Sequence, residues 1–199
     1  MAITSNQDLY QLTLNLIEKK RYLDALDKIK ILLSKTPHFY HDLMRTLYQT
    51  LIKESSNTMV KMIIVELYIY KKEYNNAVYE LEETFEDNPN EPNIYFYLSR
   101  IYSKSSEKKR IIQIFETAIN KNILDSSIID ILPTIYIENH QLDKSINLYK
   151  KLIKQNPSNQ FYLRTIADLY QKNNQFHESI TYLQSLLKVN PDSKESILK

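Results

Sequence analysis

Glycine is absent from all 199 residues, and so are cysteine and tryptophan. At an average usage of about 7%, roughly 14 glycines would be expected. Without glycine the chain cannot build the phosphate-cradling loops of P-loop or dinucleotide-binding proteins. Without cysteine it has no disulfide, thiolate nucleophile or zinc–sulfur centre. Alanine is scarce, while Ile, Lys, Asn and Tyr abound, the bias that AT-rich codons produce. Charge of one sign is missing too: 26 basic residues face 24 acidic ones, a net charge of +2. That balance does not suggest a nucleic-acid binder, which carries a strongly basic face. No run approaches the roughly 18 apolar residues of a membrane span. Met1 to Asn6 is polar where a signal peptide would be apolar. A cytoplasmic protein is expected, or a stromal one if the gene is organellar.

What the chain does have is a period. Pro157 and Pro191 are 34 residues apart, and Pro89 and Pro157 are 68 apart. Tyr68, Tyr102, Tyr136 and Tyr170 follow one another at 34. Nine places after each stands a small or short residue: Ala77, Ile111, Ser145, Ser179. A fixed period in this range marks a stacked repeat. Within 160–173, Leu163, Ile166, Ala167, Leu169 and Tyr170 recur at three and four, one face of a helix. Phe176, Ile180, Leu183 and Leu187 repeat the pattern in 176–189. Asn173-Asn174 separates the two, and Asn accepts the left-handed backbone that ends a helix. Pro191 stops the second helix. Each helix pair buries one face only, so neighbours must stack to complete a core. An ordinary bundle of about ten helices would give no reason for a constant 34.

The pattern resembles the tetratricopeptide repeat, a helix–turn–helix of 34 residues. The last unit matches at Leu163, Ile166, Ala167, Tyr170, Phe176, Ser179, Leu183, Leu187 and Pro191, with Leu186 oversized for its place. The first matches at Leu12, Tyr22, Ala25, Ile29 and Pro37, the second at Tyr68, Tyr74, Ala77, Leu81 and Pro89. The units are 6–39, 58–91, 92–125, 126–159 and 160–193. The resemblance implies an all-α protein, an α-solenoid of antiparallel helix pairs in a right-handed superhelix, as a single domain over 1–199. About eleven helices and no strand are expected, with turns near Lys20, Lys72, Ser105, His140 and Asn174.

Three places break the pattern. Pro37 to Pro89 is 52, so about 18 residues are surplus. They read as one extra helix over about 40–57, with Leu43, Leu47 and Leu51 in a stripe, ended by Ser55-Ser56-Asn57. Pro133 falls inside the helix expected over 127–139, where an interior proline costs about 3 kcal/mol. After the last unit, Asp192 to Lys199 is shorter than the polar closing helix such arrays use. The edge at Phe176, Tyr182 and Leu186 is therefore a candidate surface for self-association.

Candidate chemistry is thin. His38 and His41 are three apart, but no cysteine and only Asp42 could join them, so no metal or cofactor is expected. Glu82-Glu83 and Glu86-Asp87 fit a solvated helix face. Lys108-Lys109-Arg110 is too short for a nucleic-acid claim. No catalytic constellation stands out, and the expectation is a protein that is not an enzyme.

The resemblance implies a concave groove lined by the second, fifth, ninth, twelfth and thirteenth places of each unit. These include Met59, Met62, Glu66, Ile69 and Tyr70, then Phe96 and Arg100, then Asp130, then Phe161, Arg164 and Asp168. Met62, Phe96, Arg100, Asp130, Phe161, Arg164 and Asp168 are the candidate binding residues. Phe96 with Arg100 and Phe161 with Arg164 suit a peptide carrying apolar and acidic groups. The Lys and Asn with which the family's co-chaperone branch clamps a terminal carboxylate are missing at the fifth and ninth places of every unit. The implied role is a scaffold or adaptor that binds a protein or peptide partner. The alternative is a helical-repeat RNA binder.

Overall fold

The computed structural model describes residues 5–191. Among them are eleven α-helices and one 3-10 turn, and no strand. The chain divides into two compact units, Met1–Ile123 and Leu124–Lys199.

The first unit contains α1 (Asn6–Glu18), α2 (Tyr22–Lys35), the 3-10 turn Pro37–Phe39, α3 (Tyr40–Lys53), α4 (Thr58–Tyr70), α5 (Tyr74–Asp87), α6 (Pro92–Ile101) and α7 (Lys108–Asn120). The second contains α8 (Ser126–Glu138), α9 (Leu142–Gln155), α10 (Gln160–Lys172) and α11 (Phe176–Val189). Side chains satisfy the free N–H groups at several helix starts. Ser5 and Asp8 form a capping box on α1. Asn57 accepts from Val60 N–H on α4, and Asn159 from Tyr162 N–H on α10.

The absence of glycine shows at the helix ends. Lys20, Lys72, His140 and Asn174 hold φ of 58°, 62°, 56° and 59°, in the left-handed region. All four are the fifteenth residue of their repeat. Each closes its helix with the same pair of bonds. After α4, Lys72 N–H donates to the Ile69 carbonyl at 3.0 Å and Glu73 N–H to the Tyr68 carbonyl at 2.9 Å. This is the Schellman end, whose left-handed residue is usually glycine.

The repeat 92–125 departs from the others. Its first helix stops at Ile101. Ser103 to Ser106 follow, and short polar side chains of this kind compete with helical hydrogen bonds. Asn75 braces the turn: its Oδ1 accepts from Ser105 Oγ at 2.9 Å and from Ser106 N–H at 3.1 Å.

The residues at the crossing within each repeat are buried: Ala25, Ala77, Ile111, Ser145 and Ser179. The surplus segment is α3, four residues shorter than expected, because Asn57 turns from ending one helix to capping the next. α3 packs against α1 and α4. The Tyr48 hydroxyl lies 2.7 Å from that of Tyr68 and donates to Glu80 at 3.3 Å, tying α3 to α4 and α5. α4 is touched by α2, α3 and α5. That enclosure explains its sequence, which is apolar nearly all round, and Val60 through Val65 are all buried. One of them is Lys61, whose ammonium escapes to Asp87 at 2.7 Å and Glu83 at 3.1 Å on α5. Its stem covers core surface while its charge is paired.

Pro133 is buried inside α8. Its repeat place is held by buried Ala167 in α10. Pro133→Ala restores a hydrogen bond to the Ile129 carbonyl, worth about 3 kcal/mol in helix terms. The lost ring methylenes offset part of this, at about 0.8 kcal/mol each. A net gain of about 1–2 kcal/mol is expected in urea unfolding. A loss would mean that the surrounding core is built around the proline ring.

At the other end of the second unit, Leu186 is buried at 2% exposure, so it does not belong to an exposed edge. Tyr182 is half-buried and stacks on Tyr170, with centroids 5.6 Å apart. Phe176 and Ile180 are exposed. The expected closing turn at Asp192 to Lys199 lies outside the described residues.

Candidate functional site

In the first unit, Phe96 and Arg100 are one helical turn apart on α6, and both are exposed. The structure brings them together. The Arg100 guanidinium lies 5.2 Å from the Phe96 ring centroid and 5.8 Å from that of Tyr97. A guanidinium held against ring faces keeps its in-plane N–H groups for other acceptors. Arg100 has no carboxylate partner among the described residues.

Beside this pair runs a polar chain that the period alone does not reveal. The Tyr97 hydroxyl donates to Glu66 Oε1 at 2.8 Å. Burial raises the Tyr97 phenol well above its usual range, and the Glu66 carboxylate raises it further. Tyr97 therefore stays a donor at neutral pH. Lys30 on α2 stands 3.7 Å from the same Glu66 oxygen. Sequence reasoning placed Glu66 on this face but missed Tyr97 and Lys30. The available signal was a tyrosine one residue beyond Phe96, at a core position that needs no hydroxyl.

Met62 is a correction. It was expected on the groove surface, yet it is only 5% exposed. The helices packed around α4 enclose it. Tyr70, on the same helix, is 45% exposed and donates its hydroxyl to the Leu33 carbonyl at 2.9 Å.

In the second unit, Asp130 on α8 is exposed, as are Phe161, Arg164 and Asp168 on α10. The α10 residues follow at three and four and share one helix face. Phe161 is 63% exposed, its ring 6.0 Å from that of Tyr162.

The remaining candidates resolve into packing. Arg110 pairs with Glu82 and lies over the Tyr79 ring, and Lys108 lies over the Tyr102 ring, so the basic cluster is engaged locally. His38 sits against Phe39 and His41 against Tyr40. Among the described residues, no group of three or more His, Asp or Glu could hold a metal ion. No helix among them is long and apolar enough to cross a membrane.

Residues 165–193 match the tetratricopeptide-repeat family profile. The match lies within the fifth unit of the 34-residue period, 160–193. No curated protein matches the chain by sequence. Solved tetratricopeptide-repeat structures match in fold. A crystal structure of MamA covers 88% of this chain and 93% of its own, at 19% identity and a TM-score of 0.55. MamA from Desulfovibrio magneticus RS-1, residue 41 to its end, covers 95% and 97% at 12% identity, with a TM-score of 0.50. YrrB, described as a TPR protein with an unusual peptide-binding site, covers 89% and 91% at 17% identity and a TM-score of 0.50. These likenesses give the architecture: an all-α helical repeat built on the tetratricopeptide plan.

Proposed function

We propose that the chain is a non-catalytic scaffold that holds a peptide segment of a partner protein against the first helices of its tetratricopeptide repeats. The observation that carries this is Arg100, exposed, stacked on Phe96 and Tyr97, and without an ion-pair partner among the described residues. A fixed, unpaired guanidinium beside exposed aromatic surface suits a ligand with a carboxylate and an apolar group. Phe161 and Arg164 offer the same residue types in the second unit. The 34-residue period of the sequence runs from 58 to 193 without a break. YrrB lends the general precedent of peptide binding on this plan. The RNA-binding alternative gains no support from the family match or the neighbouring structures.

The test is to capture partners from native lysate, identify them by mass spectrometry, and measure affinity for the purified partner. Arg100→Ala and Arg164→Ala, together, should weaken binding about tenfold, or about 1.4 kcal/mol. Both sites are exposed, so stability should change little. Binding should also survive moderate salt better than phosphate-backbone contacts would. Unchanged affinity in the folded double variant would move the surface elsewhere, first to the apolar edge at Phe176 and Ile180.

A further inference from the structure

We propose that a cleft between α2 and α4 seats one large apolar side chain of the bound peptide, while a carboxylate of the same peptide reaches Arg100. This rests on the scaffold reading above and names the partner's chemistry. Leu26, Ile29 and Leu33 form one wall, and Leu67, Ile69 and Tyr70 the other. The cleft, open to one side, holds about 190 Å³. An apolar cavity of about 150 Å³ takes a benzene ring, so one leucine or phenylalanine side chain fits. One wall is held in place by the hydrogen bond from Tyr70 to the Leu33 carbonyl. The cleft lies where α2 meets α4. Its α4 wall uses the groove places of Ile69 and Tyr70, while its α2 wall lies outside the places that the repeat pattern assigns.

Charge settles what accompanies the apolar anchor. Glu66 stands at the rim, but its carboxylate already faces Lys30 and accepts from Tyr97. The unpaired charge is the Arg100 guanidinium, 5.8 Å from the Tyr97 ring centroid. The rim thus calls for an acidic residue and gives no seat to a second base. Tyr97 donates to Glu66 at 2.8 Å, and the Arg100 guanidinium lies 5.8 Å from the Tyr97 ring centroid, so the span is roughly three extended residues at about 3.3 Å each. The occupant is an extended segment with a leucine or phenylalanine and, two to four residues away, an aspartate or glutamate.

Fluorescence anisotropy on the full chain tests this with labelled nine-residue peptides of serine and glutamine. Each carries one leucine and one aspartate, two, three or four residues apart. At least one spacing should bind, and replacing its leucine by alanine should weaken binding about tenfold or more. Ile69→Trp, which fills the cleft, should do the same in protein whose helical circular dichroism and melting are retained. Arg100→Ala should erase the preference for aspartate over asparagine. If no spacing binds, or the leucine proves immaterial, the assignment is overturned, and the peptide controls decide this even if Ile69→Trp fails to fold. If aspartate binding through Arg100 persists while leucine is immaterial, the scaffold reading stands and the cleft assignment falls. Self-association in sedimentation that Ile69→Trp abolishes would instead make a second copy the occupant, and would also overturn it.

Discussion

The triple variant Lys20→Gly, Lys72→Gly, His140→Gly should be more stable than the parent by about 2 kcal/mol. A residue with a Cβ pays roughly 1–2 kcal/mol to hold the left-handed conformation. All three positions hold it, with φ between 56° and 62°. Glycine removes that cost but brings back about 0.4–1 kcal/mol of unfolded-state entropy. The net is about 0.5–1 kcal/mol per site. Lys20 also pairs with Glu54 at the surface, an exposed pair of the kind that contributes little to stability. In a chain this long, the gain should raise the melting temperature by about 4–8 °C. Asparagine at the same places should recover part of it, because its short polar side chain tolerates this backbone. The turns at Asn122 and Asn174 should accordingly gain less from glycine. A triple variant that melts no higher would show that these turns carry no backbone strain.

Ala77→Phe should have the opposite sign and a larger size. Ala77 is fully buried on α5, where that helix packs against α4. Ala77 itself is 0% exposed, and its neighbours on α5, Val78 and Leu81, are equally buried, so no space waits for a ring. Overpacking of this kind costs typically 1–3 kcal/mol. An added ring at a helix crossing lies at the upper end, about 3 kcal/mol. Urea unfolding followed by circular dichroism reads the cost directly. A variant as stable as its parent would mean that the crossing of this repeat lies elsewhere.

Most of the architecture was legible because it rests on periodic burial. The crossing residues Ala25, Ala77, Ile111, Ser145 and Ser179 are all buried, as a constant 34 demands. Turn positions were legible for a related reason: the apolar stripe stops there. The misses lie where packing departs from the period. Met62 stands at a groove place yet is only 5% exposed, because how closely neighbouring helices cover α4 is not written in the spacing of its own repeat. Leu186 looked too large for its place, and the core accommodates it. The polar chain from Lys30 through Glu66 to Tyr97 joins three helices, so no local spacing encodes it. What was legible of the candidate surface is the pairing of Phe96 with Arg100, which follows from one turn of one helix.

The enclosure of α4 bears on how the first unit comes apart. In an ideal array each repeat touches only its neighbours, so terminal repeats can fray one at a time. Here α2, α3 and α5 share one apolar partner, and the hydroxyls of Tyr48 and Tyr68 with Glu80 tie α3 to both α4 and α5. Peeling α1 and α2 away would strip one side of α4, and losing α3 would strip another. The inserted helix therefore turns a stretch that could melt stepwise into a cooperative block, with α4 as the segment whose amides open last.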